Sequence, residues 1–497
     1  MDQPLSLPFG KKIIYALGQF GWSLGSYSVA NLINYFYLPP EEGTGAIFPP
    51  FVFQGAVLGI MTVVGVINFG GRLFDAFTDP LIAGASDRTK TRFGKRRPFM
   101  AVAALPFAVL SVLVFVPPVR AAVGANIAWL AVAMGLFYLA MTAYVVPYTA
   151  LISELGHTPN ERLTLSTIIS ITWALGFAVG NQVYAIQGAF ESSMDSVSAF
   201  QTTIVIFAGV SFLLMMMPVL FINENRYSKG GTSNEGSFQA LIGTFANKDF
   251  LVFALSDFMY WLSLTFIQTG ISYYVTILLG LEKEFSSQLL LILFVLSFVF
   301  YVPINFIAKK LGKKRLVTLA FLVFAVVFVT VSLLGILPIP PGAQAYLMIV
   351  LAAFPLAVFG ILPNAIVADL AESDGREKGN YKPGVFYGAR ALMMKLGISV
   401  ANLLFPSFLL LGRSVTNSTG IRVTGIAALV FSLLGLAFFR AYNEKRILAS
   451  LAAAPPEAPS NERHEPPPGA PTEPPPEGSK APEGNKEGGG NKKGGDA

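Results

Sequence analysis

Asp75 and Asp79 sit four residues apart inside an apolar run, and no other pair in the chain is as well placed to do chemistry. Residues i and i+4 of a helix share a face, and Arg72 lies one turn back on roughly the same face. A carboxylate pair at that spacing supplies hard oxygens suited to Na+, while close like charges raise the affinity of one carboxylate for a proton. Both chemistries stay open. An Asp at the centre of a membrane-crossing helix costs on the order of 2.5 to 3.5 kcal/mol, so the pair needs a partner, an ion or a water-filled cavity. Lys395 lies too deep in its own apolar run for comfortable snorkelling and calls for an acidic partner. Arg390 is nearer the start of that run and about 140 degrees round the helix from Lys395, which suits either a snorkelled structural charge or a gate. Asp257 falls in another apolar run among Tyr260, Trp261, Gln268, Tyr273 and Tyr274, a face able to stack on a sugar or an amphiphile or simply to pack between helices.

The elements that must carry these residues are membrane helices. Of 497 residues 53% are hydrophobic and 13% charged, and the mean hydropathy of +0.59 is that of a polytopic membrane protein. Apolar stretches of spanning length fall near 13–37, 55–84, 98–117, 127–151, 165–185, 199–222, 250–279, 286–308, 316–337, 345–367, 384–411 and 421–440, giving twelve expected helices. Lys and Arg gather in alternate loops, above all Arg88 to Arg97 and Lys309 to Arg315, which places both termini in the cytoplasm. Arg120, Lys283 and Arg413 are exceptions to that alternation. The apolar run after Lys11 and Lys12 reads as a first span rather than a cleaved signal. The Gly pairs near 21–25, 70–71 and 176–180 supply small faces for close helix approach.

The polar stretch Asn223–Asp249 divides the expected spans six and six, giving an N-terminal bundle over 1–222, a cytoplasmic linker over 223–249 and a C-terminal bundle over 250–440. The halves echo each other: Phe93-Gly-Lys-Arg-Arg97 recurs as Leu311-Gly-Lys-Lys-Arg315, and Pro147-Tyr-Thr-Ala-Leu-Ile-Ser-Glu154 as Pro363-Asn-Ala-Ile-Val-Ala-Asp369. Such repeats suit a transporter with its site between them. From 441 to 497 a Pro-, Glu-, Gly- and Lys-rich tail is expected to be cytoplasmic and disordered.

Several functions are excluded or disfavoured by what is missing. There is no cysteine, hence no disulfide or cysteine nucleophile, and the two histidines, His157 and His464, offer little to a metal site or an acyltransferase motif. No Gly-rich phosphate loop is present for ATP-driven transport. The net charge of +6 reflects loop topology rather than a nucleic-acid face. A non-enzymatic, monomeric membrane protein without a cofactor is expected, with a small solute, a monovalent cation and the lipid bilayer as its partners.

Arg72-Leu-Phe-Asp75-Ala-Phe-Thr-Asp79-Pro80, the loop Asp87 to Pro98, the segment Gly384 to Gly397 with its deep Lys395, and Val146-Pro-Tyr148 with Glu154 together resemble the glycoside-pentoside-hexuronide:cation symporters of the major facilitator superfamily. The likeness spans residues 11 to about 440. It implies two six-helix bundles in a plasma or inner membrane and symport by alternating access. It also implies a coupling cation, H+ or Na+, bound at Asp75 and Asp79 with Thr142 adding an oxygen, Lys395 approaching both carboxylates, and Arg72 and Arg390 as further charge partners. The family's sodium site usually has an Asn where this chain has Thr78, which stands as a further candidate cation ligand. The charged positions with which the sugar-moving members hold their substrate fall on Ser23, Val145 and Ile169, which cannot make those bonds. The solute cavity is then expected among Gln19, Trp22, Ser23, Tyr148, Asp257, Trp261 and Gln268. A sugar or glycoside is the first expectation for the solute. A lysophospholipid or other amphiphile is the second, and a receptor that no longer transports the third.

Overall fold

The computed structural model describes residues 5–43, 47–228, 238–378 and 383–452, and these are almost entirely helical. In chain order the helices are α1 (Phe9–Tyr37), α2 (Val63–Arg88), α3 (Arg97–Leu113), α4 (Gly124–Leu155), α5 (Pro159–Gly180), α6 (Val183–Phe190), α7 (Ser196–Phe221), α8 (Glu224–Tyr227), α9 (Phe238–Thr244), α10 (Lys248–Tyr273), α11 (Lys283–Leu311), α12 (Lys313–Leu333), α13 (Pro341–Lys378), α14 (Pro383–Phe408), α15 (Thr419–Arg440) and α16 (Glu444–Ala452). Polar side chains start several of them. Thr62 accepts from the Gly65 amide at 3.1 Å, Asn247 from Phe250 at 3.1 Å, and Thr158 and Glu161 form a reciprocal capping box on α5.

Nine spans among the described residues are long and apolar enough to cross a membrane: α4, α5 joined to α6, α7, and α10 to α15. The other three expected spans form helices without that signature. Tyr, Ser, Asn and Gln dilute α1, α2 carries Arg72, Asp75, Asp79, Asp87 and Arg88, and α3 has 17 residues.

Local departures from the expected spans have local causes. The run expected to be helical from 55 begins instead as a hairpin, Ala56–Val57 (β1) against Met61–Thr62 (β2), turned at Leu58 and Gly59 with positive φ; only then does α2 start. The span near 165–185 breaks at Asn181, whose side-chain oxygen accepts from Tyr27, and restarts as α6. After α10 the backbone widens into a π-helical turn over Tyr274–Leu278.

The stretch 223–249 read as a linker includes α8 and α9, and its residues 229–237 lie outside the described ones. The tail expected from 441 begins with α16, whose Ile447 is 2% exposed. Ser450 and Leu451 hydrogen-bond Ser373 and Arg376 of α13. The rest of the tail, 453–497, lies outside the described residues.

The same five packings occur in each half of the sequence. α1 packs on α5 and α7, α2 on α4, and α3 on α4 and α7; correspondingly α10 packs on α14 and α15, α11 on α13, and α12 on α13 and α15. The two sets meet where α2 lies against α14, α6 against α11 and α1 against α10, and residues 1–453 form a single compact unit. The α2–α14 seam is what places the charged residues. Gly65 has no side chain, and any added there would meet Pro406 and the Leu403 carbonyl. The backbones can therefore approach closely enough for Asp75 and Asp79 to reach Lys395 further along.

Candidate functional site

Pro80 follows Asp79 within α2, and the helix continues to Arg88 with both aspartates turned toward α4 and α14. Asp75 has no solvent-exposed surface. Its Oδ1 accepts from the Thr142 hydroxyl at 2.5 Å, and its Oδ2 lies 2.9 Å from Lys395 Nζ. Asp79 bonds the same ammonium, and its Oδ1 lies 3.3 Å from Thr142 Oγ1. Thr78 is spent locally, donating to the Asp75 carbonyl at 3.1 Å, and stands 3.4 Å from Thr142. Arg72 lies 4.0 Å from Asp75 and over the Tyr138 ring at 5.0 Å, with Tyr138 in turn donating to Asn68 at 3.0 Å. Residues 72, 75, 78, 79, 142 and 395, drawn from three helices, thus form one cluster.

The charges in this cluster balance: two carboxylates face one ammonium and one guanidinium. The ammonium stands between the carboxylates and bonds both. The remaining oxygens, four from carboxylates plus Thr142, are the hard donors that Na+ prefers, and either carboxylate can instead take a proton. One hydroxyl proton cannot serve both aspartates: Thr142 lies 2.5 Å from Asp75 and only 3.3 Å from Asp79, so its proton goes to Asp75.

Arg390 does not join this group. Five residues before Lys395, it points the other way round α14 and grips Asp257 of α10 bidentately, Nε to Oδ2 at 3.0 Å and Nη2 to Oδ1 at 3.3 Å, with Nη1 donating to Asn364 of α13 at 2.6 Å. Asp257 is accordingly a paired carboxylate rather than a free one. Its neighbours Trp261 and Gln268 are half-buried on the same helix.

The first-half residues expected in the solute cavity are mostly sealed. Tyr148 is fully buried, stacked on Tyr15 at 4.4 Å between centroids, and its hydroxyl donates to the Tyr15 carbonyl at 2.8 Å. Ser23 donates to Phe20 at 3.0 Å and packs on Gly176 of α5. Gln19 is 4% exposed, and Trp22 is half-buried with an unpartnered Nε1.

Two sets of residues escaped the sequence reading. Glu224 of α8 accepts from the amides of Lys95, Arg96 and Arg97 at 2.6 to 3.1 Å, closing the N-terminus of α3, while Arg96 ties Ser86, Asp87 and Glu154 together. Glu444 of α16 does the same for Lys313 and Lys314 at the start of α12, at 2.7 and 3.1 Å. The signal was present as Asn223-Glu224-Asn-Arg226 after α7 and Asn443-Glu444-Lys-Arg446 after α15.

The second set lies at the opposite end of the molecule and explains two of the three out-of-place basic residues. Lys283 pairs with Glu191 at 2.5 Å. Arg413 pairs with Glu41 at 3.2 Å and donates to Pro39 and Gln54 at 3.0 Å. Tyr35 and Tyr273 lie edge to face between the halves at 5.0 Å, and Tyr273 bonds Leu38 at 2.7 Å.

A family model described as MFS/sugar transport protein matches residues 14–438. The isoprimeverose transporter of Lactiplantibacillus pentosus is 26% identical over 264 residues, about half of each chain (52% and 51%). The sodium-dependent lysophosphatidylcholine symporter 1 of Gallus gallus is 24% identical over 431 residues, covering 77% of this chain and 80% of that one. Among solved structures, the nucleoside transporter NupG superposes with a TM-score of 0.58 at 13% identity over 89% of this chain and 99% of that one, which shows a shared fold.

Proposed function

The chain belongs to the MFS/sugar transport protein family, whose members are membrane transporters, and from that premise we propose that it couples the uptake of a sugar- or glycoside-like solute to a cation, H+ or Na+, by alternating access. The observation that carries this is the Asp75–Thr142–Asp79–Lys395 cluster, because it joins helices from both halves of the chain around the place a cation would take. Cation and ammonium compete for the same oxygens, so loading the cation frees Lys395 and loosens the α2–α14 seam, the contact that must change when the halves rock. The reading has twelve spans in two six-helix bundles, with both termini in the cytoplasm of a plasma-membrane protein. The recurrence of the same five packings and of the Glu224 and Glu444 caps supports it. In that orientation the Lys283 and Arg413 pairs lie on the outer face and the structure is closed there.

A second reading, movement of a lysophospholipid, is favoured by the named substrate of the avian relative and by the aromatic filling of the first half. Uptake by proteoliposomes separates the two. With isoprimeverose, xylose and lysophosphatidylcholine offered in turn under an imposed Na+ or proton gradient, a sugar should accumulate above its outside concentration. Accumulation of lysophosphatidylcholine alone would replace the first reading by the second, and gradient-independent equilibration would remove the coupling.

A further inference from the structure

We infer that Asp257, Arg390 and Asn364 form a subsite that recognises a pair of hydroxyl groups on a neutral solute; the inference rests on the transport reading above and specifies its substrate class. Three helices contribute: α10, α14 and α13. Arg390 uses three N–H groups on Asp257 and Asn364, and with five on a guanidinium this leaves two. Asn364 is exposed although it follows Pro363 inside a long apolar helix, and the Arg390 side chain keeps 13% of its surface open. An exposed carboxamide and a partly open guanidinium inside apolar helices do not face lipid, so they border a water-filled space. One turn along α10, the half-buried Trp261 sets an aromatic face beside the pair.

The internal repeat explains why the polar site is in this half. Tyr15-Ala-Leu-Gly-Gln19-Phe20 is echoed by Phe253-Ala-Leu-Ser-Asp257-Phe258, and Pro147-Tyr148 by Pro363-Asn364. Asp257 and Asn364 therefore stand where the first half has Gln19 and Tyr148. In the first half these positions are closed by stacked Tyr15, Tyr148 and Tyr144, whereas in the second they hold a buried carboxylate paired with a partly open Arg390 and an exposed Asn364.

The charge balance selects the ligand. Asp257 already neutralises Arg390, so a carboxylate or phosphate entering beside them would add an unmatched charge in a poorly hydrated site. Adjacent hydroxyls add none: each accepts from a free guanidinium N–H, and one donates to the exposed Asn364 side-chain oxygen, leaving the Asp257–Arg390 pair intact. The subsite also lies on the helix that carries Lys395, about 7.5 Å along its axis. A solute that draws on Arg390 thus acts on the element that holds the cation site.

The test uses the purified full chain in detergent, its melting temperature followed against xylose, isoprimeverose, glucuronate and lysophosphatidylcholine. Three proteins are compared: the natural one, Asn364→Ala, and the double variant Asp257→Asn/Arg390→Gln. The double change removes both charges together and avoids leaving one buried alone. A neutral sugar should stabilise the natural protein, bind about ten times more weakly to the double variant and about threefold more weakly to Asn364→Ala, with unliganded melting temperatures nearly equal. Undiminished sugar binding by the double variant would make the pair purely structural, and stabilisation confined to glucuronate or lysophosphatidylcholine would overturn the ligand class. Either result leaves the transport reading standing. If no probe stabilises the protein and none enters proteoliposomes, the transport reading and the subsite fall together.

Discussion

Lys395 is the residue on which most depends, since removing it leaves Asp75 and Asp79 facing each other with only Arg72 nearby, 4.0 Å from Asp75. Breaking a buried pair from one side costs about 3 to 5 kcal/mol; Lys395→Ala leaves two like charges together, whereas Asp75→Asn still leaves Lys395 paired with Asp79. Lys395→Ala should therefore lower the melting temperature by several degrees and Asp75→Asn should not, a difference that differential scanning fluorimetry reads directly. The sequence showed this cluster because charge inside an apolar run is costly enough to stand out. It did not show that Arg390 belongs to a different cluster: the angle round α14 separated the two residues, but the partner, Asp257, is fixed only by how α10 and α14 pack.

At the level of elements, helix ends are held by acidic residues from distant parts of the chain. Glu224 meets three amides at the start of α3, and Glu444 two at the start of α12. Charge-assisted bonds of this kind contribute about 1.5 to 3 kcal/mol. Truncation after Ala452 should leave the melting temperature unchanged, while truncation after Tyr442 removes Glu444 and the docked α16 and should lower it clearly; equal melting of the two proteins would show that α16 caps nothing. Long helices were legible in the sequence, since twenty apolar residues in lipid have few other options. The hairpin at Ala56–Thr62 and the break at Asn181 were not. Both sit in apolar sequence and depend on positive φ at Leu58 and Gly59 and on a bond from Tyr27 of another helix.

For the whole molecule, orientation is the first matter to test, and the absence of native cysteine makes labelling clean. With the termini inside, a cysteine at exposed Ser192 should react with an impermeant thiol reagent in intact cells and one at exposed Lys90 should not; the reverse pattern would invert the topology. The Lys283–Glu191 and Arg413–Glu41 pairs then form an outer latch, so Arg413→Ala should raise labelling of cysteines placed deeper than Tyr35 by shifting the population toward outward opening. The latch was hidden in the sequence as two basic residues on the wrong side. The measurement that bears most directly on the central claim needs no solute at all: the melting temperature of the purified protein against Na+, with choline holding ionic strength constant, and against pH, in the natural protein, Asp75→Asn and Asp79→Asn. A site at these two carboxylates predicts that the natural protein responds to Na+ or to pH and that both variants lose the response while staying folded. A response that survives unchanged in both variants would place the coupling ion elsewhere.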